Sequence, residues 1–170
     1  MNTLNIVKNH SLLACIILGV LSYGSPAIAN EPDFSIVLEQ GLACSTFALK
    51  VEGWGGNRHF KEFTDENGNV VRSLDTGTGS ALRFTNVDTG KTISTKSNGA
   101  VSQTRFNLDG SSSVAATGHN LLILFPSDIP AGPSTTLIKG RLVFTVDTDQ
   151  VFTVQSINGN TTDLCAALSE

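Results

Sequence analysis

His119 stands in "ATGHNLLILFPSDIPAGPSTTL", residues 116–137, with Ser127 and Asp128 a short way downstream. A serine, a histidine and a carboxylate can form a hydrolytic set. The imidazole takes the hydroxyl proton while the carboxylate holds the ring in one tautomer. The chain lacks the Gly-x-Ser-x-Gly elbow that projects a serine nucleophile. A second reading makes Thr117-Gly118-His119-Asn120 a turn ahead of the apolar run, since Gly and Asn both tolerate left-handed backbone. The turn is the preferred expectation, because spacing alone fixes no partner for the imidazole.

Two acidic stretches could hold a cation. "DENGN", Asp65–Asn69, sets oxygen ligands at alternate positions as a calcium loop does. However, the sixth position of such a loop would be Val70 and the twelfth Thr76, where glycine and a bidentate glutamate belong. Asp147-Thr148-Asp149 carries a similar echo. Hairpin turns account for both stretches, and neither a metal nor a cofactor is expected. Trp54 lies among glycines in "EGWGGN", where an uncovered ring could stack a flat ligand, or else cap the end of a core. Trp54, His119 and Asp128 are therefore the candidate ligand-contacting residues. The proline-rich loop from Pro126 to Pro133 offers a stiff surface for recognition.

The ends of the chain set the compartment. "SLLACIILGVLSYG" follows Lys8 and His10 and leads into "SPAIAN", with Ala27 and Ala29 at small-residue cleavage positions. This is a signal-peptide pattern, so residues 1–29 are predicted to be removed and residues 30–170 to form one exported β domain. Ser22, Tyr23, Gly24 and Pro26 break the apolar run before it could serve as a membrane anchor. The formal net charge is −4, and the basic residues of the domain are scattered singly, so nucleic acid is not an expected partner.

Of three cysteines, Cys15 leaves with the leader. The remaining pair, Cys44 and Cys165, is expected to bridge in an oxidising compartment.

The elements that must position these residues are strands. Short segments rich in Val, Ile, Phe and Thr alternate with turn signals through the whole domain. Hairpins are predicted around Asn67-Gly68, Asp88-Thr89-Gly90, Asp109-Gly110 and Asp147–Asp149. In the first of them His59, Lys61 and Phe63 fall on one side, Phe60 and Glu62 on the other. "LLILF", Leu121–Phe125, lacks polar alternation and should be covered on both faces. A helical turn capped by Thr162 or Asp163 is expected at the C-terminus. The predicted fold is all-β, an antiparallel sandwich or small barrel of consecutive hairpins with roughly eight to ten strands.

"TNVDTGKT", the Gly-His-Asn phrase with its Pro-Gly loop, "GRLVFTVDTDQVFTVQS" and "TDLCAAL" occur here in one order. Together they resemble a group of small exported bacterial proteins, of actinobacterial type, with uncharacterised function. The resemblance implies a secreted β domain with a terminal cysteine, and it brings no reaction, cofactor or site residue.

The leading functional expectation is an exported non-catalytic module that binds an extracytoplasmic ligand or protein. A secreted hydrolase using His119 with a carboxylate or serine is the first alternative. A barrel holding a small hydrophobic ligand, suggested by "LLILF" and the phenylalanines, is the second.

Overall fold

The computed structural model describes residues 30–170; the leader predicted over residues 1–29 lies outside the described residues. Ten strands run in chain order as β1 (Phe34–Leu38), β2 (Leu49–Trp54), β3 (Asn57–Thr64), β4 (Val70–Thr78) and β5 (Ala81–Asn86), then β6 (Thr92–Thr95), β7 (Gly99–Phe106), β8 (Ser112–Leu124), β9 (Ser134–Val146) and β10 (Phe152–Asp163). A single helical turn and a half, α1 (Leu164–Ser169), ends the chain. All strand pairs are antiparallel. They form a four-stranded sheet in the order β1-β2-β5-β6 and a six-stranded sheet in the order β10-β9-β8-β7-β4-β3. The result is a sandwich-like all-β fold, and the sheets do not close into a barrel.

The local chemistry explains the hairpins. Gly68, Gly90 and Gly110 each take a positive φ, of 84°, 75° and 86°, where the predicted turns need one. Aspartates brace three of the turns. Asp65 Oδ1 accepts from the Asn67 and Asn69 amides at 2.9 and 2.8 Å. Asp147 Oδ1 accepts from Asp149 and Val151 at 2.9 and 3.0 Å, and Asp109 Oδ1 from Ser111 at 2.9 Å. These carboxylates serve turns, as expected, and the described residues contain no cluster of three or more potential metal-binding side chains.

One core lies between the sheets. Leu49 and Val51 from β2 and Phe84 from β5 meet Leu164 and Leu168 of α1, with Leu121, Ile123 and Leu137 of the larger sheet packed against them. A second core lies on the other face of the larger sheet, built from Ala116, Leu122, Leu124, Ile138 and Leu142, with Phe144, Phe152 and Val154 alongside. "LLILF" therefore feeds alternate side chains into two different cores, which is why it carries no polar residue. Cys44 and Cys165 are bonded, with Cα atoms 5.5 Å apart, tying the segment before β2 to α1. Asp163 caps α1 by accepting from the Ala166 amide at 3.0 Å.

The larger sheet is creased. Pairing aligns Gly77 of β4 with Ala100 of β7, then Gly118 of β8, Gly140 of β9 and Gly159 of β10 in one row across five strands. Gly118 has φ 98°, and a Cβ there would stand 2.4 Å from the Gly99 carbonyl oxygen. A Cβ on Gly140 would stand 2.1 Å from the Asn158 oxygen. Glycines in a strand interior mark such close approaches and bends.

The connection after β8 shows how far the sheet bends. Ile129 forms a parallel bridge with Thr153, whose row continues through Thr145 to Ser113. In an extended strand Ser113 would lie roughly 36 Å from Leu124. The chain from Phe125 to Ile129 can reach only about 14 Å. The arms of the sheet on either side of the glycine row must therefore fold toward each other, and the second core fills the space inside the bend.

Glu52 is a buried charge on the smaller sheet. It is 4 % exposed and pairs with Lys50 at 2.8 Å and Arg83 at 3.0 Å. The hydrogen bond from Arg83, and then that from Lys50, hold its pKa below the ordinary 4.5 against the opposing effect of burial. A carboxylate with a lowered folded pKa contributes its full stability above the ordinary value and loses it as pH falls through the folded one. Stability should therefore decline on acidification below about pH 4.5, with a shallower decline in Glu52→Gln. Asp65 and Asp109 are also lowered, chiefly by side-chain hydrogen bonds from Asn69 and Ser111, so part of the acid slope persists in the variant. Urea midpoints measured across this range check the difference.

Candidate functional site

The expectation that "TGHN" is a turn is overturned. These residues lie inside β8, and His119 pairs with Lys139 of β9 one step beyond the glycine row. Gly118 takes the left-handed conformation that a turn would use, but it creases a continuous strand because a ladder partner is present on each side. The physical cause of the misreading is that bend and turn require the same backbone freedom.

The crease places His119 at the open mouth between the sheets. Two adjoining recesses of about 110 and 370 Å³ share Thr95, Lys96, Asn98, His119 and Leu137 as lining. Ser80 and Asn120 line the smaller one, Lys139 and Thr162 the larger. The charged members, Lys96 and Lys139, form no ion pair among the described residues, and no carboxylate lines either recess. The Asn120 side chain alternates with that of His119 and lies on the Leu122 and Ile138 side of the sheet, where its buried Nδ2 has no acceptor among the described residues. With two ammonium groups and no carboxylate, the cleft wall is short of acceptors. The cleft is therefore suited to a ligand that brings them.

His119, Ser127 and Asp128 do not form a set. Asp128 is 3 % exposed, and its two oxygens accept from the Phe125 amide at 2.6 Å and the Phe152 amide at 2.9 Å. It latches the proline loop onto the start of β10, helped by backbone bonds from Ile129 N to Phe152 O and from Val154 N to Ile129 O. Trp54 lies elsewhere, at the end of β2, half-buried with the Arg83 guanidinium 4.9 Å from its ring centroid. That cation covers a ring face on which a flat ligand would have to stack. The three candidates thus occupy three separate places, with no hydrogen bond or ion pair joining any two of them among the described residues.

No family model, curated protein or solved structure matches the chain. The chemistry of the cleft accordingly stands on its own geometry. Its remaining members, Lys96, Asn98, Asn120 and Lys139, carry no local motif; what gathers them is the pairing of β8 with β9 and the approach of β6.

A latch that satisfies two amides with one buried carboxylate is costly to weaken. In Asp128→Asn, an amide NH₂ would face a backbone N–H. The variant is expected to lose about 2 kcal/mol of stability. The amides of Ile129 and Val154 should exchange faster with solvent, and hydrogen exchange at these two residues is the check.

Proposed function

We propose that the protein is an exported, non-catalytic binding module that takes an acceptor-rich ligand into the His119 cleft. The Lys96 and Lys139 ammonium groups beside His119 carry this reading, because the cleft they line holds no carboxylate to neutralise them. The disulfide suits an oxidising compartment, and the leader pattern supports export. No helix among the described residues is long and apolar enough to cross a membrane. The mature chain begins at Asn30 on this reading, which mass measurement of the secreted product tests.

Titration of the isotopically labelled domain with citrate, and with maltose as a neutral hydroxylated probe, tests the cleft. Saturable shifts at the His119 ring and the Asn120 backbone amide support the proposal. Absence of shifts with both probes overturns it. Turnover of a p-nitrophenyl ester that is lost in His119→Ala would replace it with the hydrolase reading.

A further inference from the structure

Basic residues that are dispersed in the sequence converge on one face of the larger sheet. Strand alternation and register put His59 and Lys61 of β3, Arg72 of β4, Arg105 of β7 and Arg141 of β9 on the same side. The acidic residues of these strands, Glu62 and Asp75, point to the opposite side, where Asp75 pairs with Arg58 at 2.7 Å. Before the crease, this face has no smaller sheet packed on it.

Not all of its cations are equally available. Lys61 and Arg72 both stand over the Phe63 ring, at 5.0 and 3.9 Å from its centroid. Arg105 and Arg141 have no ion pair or side-chain hydrogen bond among the described residues. They flank a shallow recess of about 280 Å³ lined also by Gln103, Ser113, Ala115 and Val143. Ala115 is the reason for the dip: its short side chain sits between Gln103 and Val143 on the neighbouring strands. Gln103 and Ser113 likewise make no side-chain hydrogen bond among the described residues. Two guanidinium groups with a neutral amide and a hydroxyl between them form a surface for an oxyanion carried on a hydroxyl-rich body.

We propose that this outer face binds an acidic polysaccharide, one of whose carboxylate- or sulfate-bearing units sits between Arg105 and Arg141. The arginines would clamp the anionic group, while Gln103 and Ser113 hydrogen-bond ring hydroxyls over the Ala115 floor. The recess has room for one ring-sized unit, with open sheet on either side for the polymer to continue. Single-stranded nucleic acid fits less well, because its bases need open aromatic faces and the Phe63 ring is capped by two cations. This site lies on different residues from the His119 cleft and does not depend on the reading given for that cleft.

Calorimetry and affinity electrophoresis of the mature domain test it, using polygalacturonate, dextran sulfate, neutral dextran, poly(dT) and inorganic phosphate. Polygalacturonate or dextran sulfate should bind, more weakly as salt rises, and which of them binds tells the carboxylate source from the sulfate. The double variant Arg105→Gln/Arg141→Gln should bind at least about tenfold more weakly, whereas Lys91→Gln should bind like the parent. If the double variant fails to fold, the Arg105→Lys/Arg141→Lys protein and the arginine Nε–H resonances of the parent provide the same readout. Those resonances should shift on titration. Equal binding of neutral dextran, tighter binding of poly(dT), binding of phosphate alone, or unchanged affinity in the double variant overturns the proposal. Shifts confined to His119 and Asn120 also overturn it, while leaving the cleft reading intact.

Discussion

Gly140→Ala is expected to destabilise the protein by about 4 kcal/mol or more, enough to consume most of the stability of an ordinary domain. The added methyl carbon would stand 2.1 Å from the Asn158 oxygen and 2.8 Å from the Gly159 Cα. Both are backbone atoms of the paired strand, so no rotamer change relieves the contact. Moving β10 away would break the ladder on which the Asp128 latch also depends. Gly118→Ala should behave similarly, with the Gly99 oxygen at 2.4 Å and the Ala100 Cα at 3.0 Å. Gly90→Ala supplies the comparison. It has φ +75° but nothing within 4 Å of the new atom, so only the left-handed preference is lost, about 1 kcal/mol. Urea denaturation of the three variants measures the contrast, and equal losses at Gly140 and Gly90 would show that the crease relaxes freely.

The second large effect is expected at the sulfur bridge. Cys44→Ser/Cys165→Ser should lose about 2–5 kcal/mol. The bond closes a loop with a sequence separation of 121 residues, so the unfolded chain without it gains much freedom. Cys44 is also fully buried against Ala43, Phe47 and Leu164, where a hydroxyl would be left in an apolar setting. Thermal melting of the double variant, beside the parent with and without reductant, tests this. A reduced parent that melts like its oxidised form would remove the bridge from the account of stability.

The hairpins were legible because their determinants are local. Asn67-Gly68, Asp88-Thr89-Gly90 and Asp109-Gly110 carry their turn chemistry within a few residues, and the structure uses all three. The covering of "LLILF" on both faces was legible for the same reason, since a strand with no polar side must be enclosed. The bridge followed from counting the cysteines that lie beyond the predicted leader. The crease was not legible, because Gly77, Gly118, Gly140 and Gly159 acquire their meaning only when register aligns them.

Asp128 was misleading in another way. It adjoins Ser127 in sequence, yet one of its partners is the Phe152 amide, twenty-four residues away. The anion-facing surface was hidden by the same non-locality. Arg105 and Arg141 are isolated cations along the chain and become neighbours only through β8.

The division of charge across the larger sheet gives the molecule a direction. The turns between β3 and β4, β7 and β8, and β9 and β10 lie at one end of that sheet, and they hold Asp65, Glu66, Asp109, Asp147 and Asp149. The mouth beyond the glycine row holds Lys96, His119 and Lys139. A domain built this way has a permanent electric dipole. An external field will therefore orient the domain, and added salt, by screening that field, should weaken the alignment.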